Sequence, residues 1–288
     1  SFCSVSAFFG RGYRHRSVDE VVEEVEGLEG NLVFFVDDNF ISHKRHLKED
    51  LLPKLIEWRR RRQGFQFFTE AGINLADDRE LMRMLVDAGF GSVFIGIETP
   101  EAASLEEAHK NQNRNRNLYA DVRRIQEHGI EVQAGFIVGF DSDRPTIFTK
   151  MADFIQRSGI AVAMVGLLQA PVGTKLYERL KKTGRVLGPM SGDNVDGSTN
   201  IIPKMGFETL RNGYRGLLDT LYSPAQFYAR VRRFLLQYPG RRGKISIKPE
   251  ELGAFVKTIY HLGIRGRERL QYWRLILWTL FRRPKLLP

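Results

Sequence analysis

The sequence predicts an α/β protein, a run of (β/α) units on parallel strands followed by a mainly helical C-terminal region. Three observations carry this expectation. Short apolar runs alternate with longer segments of helical periodicity. Gly30, Gly64, Gly89, Gly129 and Gly159 stand just before successive runs, where helices usually end. The runs are almost continuously apolar, the pattern of parallel strands covered on both faces.

In chain order the expected strands are Leu32–Asp37 (LVFFVD), Phe65–Glu70 (FQFFTE), Ser92–Ile97 (SVFIGI), Glu131–Val138 (EVQAGFIV) and Ala161–Leu168 (AVAMVGLL). The helical patterns are Val18–Leu28, Lys44–Arg62, Arg79–Ala88, Asn117–His128 and Pro145–Ser158. A parallel sheet or barrel follows, and five strands are too few to close a barrel of eight. Residues Gly184–Asn200 are rich in Gly, Ser, Asp and Asn and read as a linker or a substrate-side loop. Beyond them Phe207–Tyr222, Pro224–Tyr238, Pro249–Leu262 and Arg265–Phe281 read as helices. The expected organisation is a barrel body over 1–183, the loop 184–200 and a basic helical domain over 201–288.

Composition narrows the class. At 42% hydrophobic the chain has ample material for a core. Its single cysteine, Cys3, excludes a disulfide framework and suits a reducing cytoplasm. No stretch of about 18 uncharged apolar residues is present, so no spanning helix is expected. The net charge of +10 is unevenly placed: residues 1–200 hold 26 Lys+Arg against 29 Asp+Glu, and residues 201–288 hold 18 against 5. A uniformly basic nucleic-acid binder does not look like this, so no nucleic-acid partner is expected. Arg59-Arg60-Arg61-Arg62 reads either as an RNA patch or as a solvated helix C-terminus whose cations complement the dipole. The six histidines show no metal-ligand spacing. The last helical segment joins Trp273, Leu275, Ile276, Leu277, Trp278 and Phe281 to basic flanks. It reads as an interfacial membrane helix or as a packed helix with outward arginines. The +13 balance of this third turns the expectation towards contact with an anionic membrane surface through 265–288.

In parallel (β/α) barrels chemistry sits at the C-terminal ends of the strands. Here those ends are polar at every strand: Asp37-Asp38-Asn39, then Thr69-Glu70 with Asn74 nearby, Glu98-Thr99, Gly139-Phe140-Asp141 and Gln169. Helix capping accounts for some of them. The repetition points to a shared site for a polar ligand.

The segment Ser1-Phe2-Cys3, with FFGRGYRHRSVDEVVEEVE, FVDDNF, FIGIETPE, KNQN and AGFIVGFDSD, resembles the cobalamin-binding radical S-adenosylmethionine (radical SAM) enzymes. The resemblance covers nearly the whole chain, including the helical C-terminal domain of unknown function found in hopanoid-methylase-like members. It implies a partial (β/α)6 barrel lacking strand 1, with strands two to six as the five expected here. It makes Cys3 the third cysteine of a CxxxCx(aromatic)C loop holding a 4Fe–4S cluster, with Phe2 in the aromatic slot and the other two cysteines outside this chain. Taken alone, Cys3 reads as a small residue near a chain end, since one thiol cannot hold a cluster. The resemblance places S-adenosylmethionine among Asp37, Asp38, Glu70, Glu98, Gly135, Ile137, Gly139 and Gln169. Gly135-Phe136-Ile137-Val138-Gly139 stands for the GxIxG element beside the adenine. The usual Gly-Gly-Glu is absent at Asp37-Asp38.

The function this implies is radical chemistry on an unactivated carbon of a lipid-like or secondary-metabolite substrate, with cobalamin-dependent methylation through a domain outside this chain. The polypeptide by itself is then an inactive fragment without a stable cluster, in the cytoplasm or peripheral at a membrane. Two other readings remain: a tRNA-modifying methylthiotransferase-like enzyme, and a non-catalytic barrel that binds a ligand or a membrane.

Overall fold

The computed structural model describes residues 2–10, 12, 14–62, 64–193, 195–240 and 249–287. Ser1, Arg11 and Tyr13 of the quoted segments lie outside them.

The chain opens with a helical turn, α1 (Val5–Phe8), then α2 (Val18–Gly27). A capping box starts α2: Ser17 Oγ accepts from the Glu20 amide, and the Ser17 amide donates to the Glu20 carboxylate. Strand β1 (Leu32–Phe35) ends two residues short of the expected Asp37. The expected helix Lys44–Arg62 is broken into α3 (Lys44–His46), a π turn (Leu47–Leu51) and α4 (Leu52–Arg61). Pro53 has no N–H to donate one turn back, and the Leu52 amide reaches the Leu47 carbonyl instead.

There follow β2 (Gln66–Glu70), α5 (Arg79–Ala88), β3 (Phe90–Glu98), α6 (Ala102–Glu107), α7 (Leu118–Glu127), β4 (Glu131–Val138), α8 (Ile147–Ser158), β5 (Ala163–Leu167) and α9 (Lys175–Lys182). Helices α6 and α9 go beyond the expected elements. For α9 the local signal is Thr174, whose hydroxyl accepts from the Tyr177 amide. Gly89 and Gly159 end α5 and α8 in the left-handed conformation, whereas α2 ends on extended Leu28, four residues before β1 begins.

The five strands are all parallel and lie in sequential order β1-β2-β3-β4-β5. Right-handed crossovers in such an order put every connecting helix on the same face. That corrects the expectation of strands covered on both sides. One face carries Phe67, Val93, Ile95, Val132, Ala134, Phe136 and Val165 into a core with Leu81, Leu85, Val122, Ile125, Met151 and Ile155. The opposite face carries Phe34, Phe68, Phe94, Gln133 and Met164, none of them buried.

The helical C-terminal region is α10 (Phe207–Tyr222), α11 (Pro224–Gln237), α12 (Pro249–Thr258) with a π turn (Ile259–Arg265), and α13 (Arg269–Arg282). It covers the outer edge of β5. Tyr214 Oη donates to the Val165 carbonyl (3.0 Å) and Tyr222 Oη to that of Ala163 (2.6 Å). Edge carbonyls that would otherwise invite another chain are thereby paired. Arg230 of α11 is fully buried and donates to the carbonyls of Leu221 (2.9 Å) and Ala161 (3.3 Å). No helix among the described residues is long and apolar enough to cross a membrane.

Candidate functional site

Sequence-predicted residues converge at the C-terminal ends of the strands. Asp37 and Asp38 follow the end of β1, and Glu70 is the last residue of β2. Burial, and then the negative charge of Asp38, hold both Asp37 and Glu70 above the usual carboxylate range; for Glu70 the Lys110 ammonium pulls the other way. Asp38 therefore acts on both, and Lys110 faces Glu70 as well as its hydrogen-bonded partner Glu98.

Glu98 ends β3 with a positive φ of 67°, where the register with β4 slips by one residue after Gly96. Its carboxylate folds back over Gly96 and accepts from Lys110 Nζ at 2.7 Å. A Cβ on residue 96 would stand 2.5 Å from that oxygen, so the bulge depends on Gly96. Asn113 locks the same turn, its amide donating to the carbonyls of Gly96 and Ile97, both at 3.0 Å. Lys110 and Asn113 are the ends of the KNQN segment. In the sequence this segment stood out only through the family resemblance; the role of its two ends depends on contacts 12 to 17 residues back in the chain.

On the open face Gly135 lies beneath the ring of Phe94, whose Cζ is 3.0 Å from where a Cβ would stand. Ile137, two residues on, packs against a small cluster that includes Phe140, Leu168 and Leu176, as does Phe2. The Phe2 and Phe140 rings meet edge to face at 6.1 Å. This brings the start of the chain to the end of β4 and leaves Cys3 exposed beside it. Gly139 takes a φ of 108°, and its amide donates to Asp143 Oδ2 at 2.8 Å. Asp143 also accepts from the Phe140 amide and from Ser104 Oγ, so the turn Asp141-Ser142-Asp143 is a clamp on the end of β4.

Gln169 stands after β5. Its Nε2 donates to the Asp193 carbonyl at 2.9 Å, and its buried Oε1 has no hydrogen-bond partner among the described residues. Through this bond, and through Asn200 bonded to both backbone groups of Ala170, the 184–200 segment is tied to the rim. Within the described contacts Gln169 does not touch the carboxylate group. The aromatic wall was missed altogether: Phe34 and Phe68 stack at 4.6 Å on the open face, with Phe94 one row above. Their period-two placement was visible, but which parity faced the helices was not.

Asp37, Asp38, Glu70 and Glu98 thus stand at neighbouring strand ends, with Lys110 paired to Glu98 and felt by Glu70, an excess of negative charge that suits a cationic ligand. For a 4Fe–4S cluster the residues present do not suffice, because the chain offers one thiol. Of Arg59 to Arg62, Arg59 is committed to the fold, donating to the Phe65 carbonyl at 2.6 Å.

Comparison with known proteins adds to this geometry. Residues 1–155 match the radical SAM superfamily and residues 174–288 match a domain of unknown function, DUF4070. The chain is 34% identical over 282 residues to an uncharacterized methyltransferase of Synechocystis sp., covering 94% of this chain and 52% of that protein. It is 31% identical over 297 residues to the hopanoid C-2 methylase of Rhodopseudomonas palustris, covering 98% and 55% respectively. The chain spans about half the length of these curated relatives. Its fold is similar to that of the radical S-adenosylmethionine methyltransferase TsrM from Kitasatospora setae, solved with cobalamin and a 4Fe–4S cluster bound. The TM-score is 0.50 at 15% identity, covering 90% of this chain and 54% of the other.

Proposed function

The chain belongs to the radical SAM superfamily, and from that premise we propose that it forms the barrel of a radical methyltransferase acting on an unactivated carbon of an apolar, lipid-like or secondary-metabolite substrate. The observation that carries this reading is the rim of under-neutralised carboxylates beside an open apolar wall. S-adenosylmethionine bears an ammonium and a sulfonium, and Asp37, Asp38 and Glu70 suit those charges. Glu98, Gly135, Ile137 and Gly139 offer the edge of β3 and β4 to its nucleoside half. Gln169 offers an acceptor with no partner among the described residues. An adenine beside Gly135 requires Phe94 to swing aside.

Phe34, Phe68 and Met164 suit an apolar substrate on the inner wall, and the 184–200 loop, tied at Gln169, is its substrate-side boundary. When bound, the cluster with S-adenosylmethionine supplies a radical oxidant and cobalamin supplies a methyl group. Cys3 is the one cluster ligand assigned to this chain, with Phe2 beside it, and no residue here is assigned to cobalamin. By itself this polypeptide holds no stable cluster and turns over no substrate; stoichiometric iron and sulfide after anaerobic reconstitution overturns that statement. Contact with a membrane surface through 265–288 belongs to the same proposal, for a cytoplasmic protein peripheral at the bilayer with no nucleic-acid partner.

The test of the ligand site is calorimetric titration of S-adenosylmethionine into the chain. Asp37→Asn with Glu70→Gln is expected to weaken binding at least roughly tenfold, as loss of two opposite charges implies. Unchanged affinity removes the carboxylate rim from the reading.

A further inference from the structure

The C-terminal helices hold a cavity whose lining includes no residue of the rim. Between α11 and α13 lies a space of about 390 Å³ lined by Arg232, Leu236, Trp278, Arg282 and Arg283. Three of its five lining residues carry a guanidinium and none carries a carboxylate. Among the described residues no Asp or Glu oxygen comes within ion-pair distance of these three arginines. Two of them are nonetheless oriented. Arg232 lies over the Trp278 ring at 4.8 Å, and Arg283 donates to the carbonyls of Leu236 (3.1 Å) and Tyr238 (2.6 Å). Three like charges lining one cavity, with no counter-charge among the described residues, are stabilised by an anion entering it. Forked guanidinium donors match the oxygens of a phosphate group.

We infer that this cavity binds a phosphate group, and that the group is the headgroup phosphate of an anionic lipid. The surroundings point to the lipid. Leu236 in the lining is 58% exposed, and Phe281, beside Arg282, is 80% exposed, with Leu277 and Leu280 exposed on the same helix. Residues 249–287 hold eight Lys+Arg against three Asp+Glu. Apolar side chains flanking a cationic pocket place it at the headgroup level of a bilayer, with the apolar residues below. The inference rests on the membrane contact proposed above and names its anchoring site.

The experiment is co-flotation of the chain with vesicles of phosphatidylcholine, alone or with about one-third phosphatidylglycerol, at low and high salt. The wild-type chain is expected to float with the anionic vesicles only, and less at high salt. Arg232→Gln with Arg282→Gln is expected to lower the bound partition roughly 25-fold, about fivefold per cation, with an unchanged circular dichroism spectrum. Arg283 is left intact because it caps carbonyls of the fold.

Equal flotation of wild type and variant overturns the pocket while leaving the membrane contact standing; no flotation with any vesicle overturns both. Tight binding of millimolar inorganic phosphate, lost in the variant, overturns the lipid as source. An RNA gel shift abolished by the same variant overturns it in favour of nucleic acid.

Discussion

Tyr214→Phe tests whether the helical region closes the barrel edge through specific hydrogen bonds. The Tyr214 ring is 6% exposed and its hydroxyl is the donor to the Val165 carbonyl on the outer side of β5. Removing the hydroxyl keeps the ring and leaves a buried acceptor without its donor. The cost of such an orphaned group is about 1–3 kcal/mol. Tyr222 is an internal control: it donates to the Ala163 carbonyl two residues earlier, but is 48% exposed. Water replaces its hydroxyl, so Tyr222→Phe is expected to cost about 0.5 kcal/mol or less. Urea unfolding reads both as a shift of midpoint at constant slope. Equal costs for the two variants, or a loss below about 0.5 kcal/mol for Tyr214→Phe, refute the reasoning, because the β5 edge would then be satisfied in another way.

Gly139→Ala is expected to cost about 1–3 kcal/mol in the same assay, since a φ of 108° strains any L side chain and Leu210 stands 3.4 Å from the new Cβ. Lys110→Met leaves the buried Glu98 carboxylate without its ammonium and is expected to cost about 3 kcal/mol; adding Glu98→Gln is expected to recover part of that in a double-mutant cycle. Asp77 is held below the usual carboxylate range by its two hydrogen bonds to Arg116. Its folded value thus lies below its unfolded one, so the contribution is present above the unfolded value, about pH 4, and disappears as the pH falls through the folded value. Asp77→Asn is accordingly expected to be less stable than wild type at neutral pH, with the difference closing in acid, as measured by urea midpoints across the pH range.

Much of the architecture was legible from local pattern. The β4 bounds, the left-handed glycines after α5 and α8, and the N-cap at Asn117 are consequences of a few neighbouring residues and short-range sterics. The polar strand ends were legible for the same reason, as residue types at the ends of apolar runs. Helix α4 shows where locality fails: periodicity continued across Pro53, and only hydrogen bonding into the preceding turn produced the π turn.

Tertiary structure alone decided which parity of each strand faced the helices. Apolar residues at every position look alike until the crossovers choose a side, and the sequential strand order chose one side for all of them. It also decided how the charges of the rim are paired. Lys110 reaches Glu98 only because Gly96 permits the bulge and Asn113 pins it, and no window along the chain contains that arrangement as a pattern. The same holds for Arg232, Arg282 and Arg283. Sequence placed cations in a basic third; packing of α11 against α13 brought three of them around one cavity. Residue type is local and additive, whereas the field at a site depends on distances between residues that only the folded chain brings together.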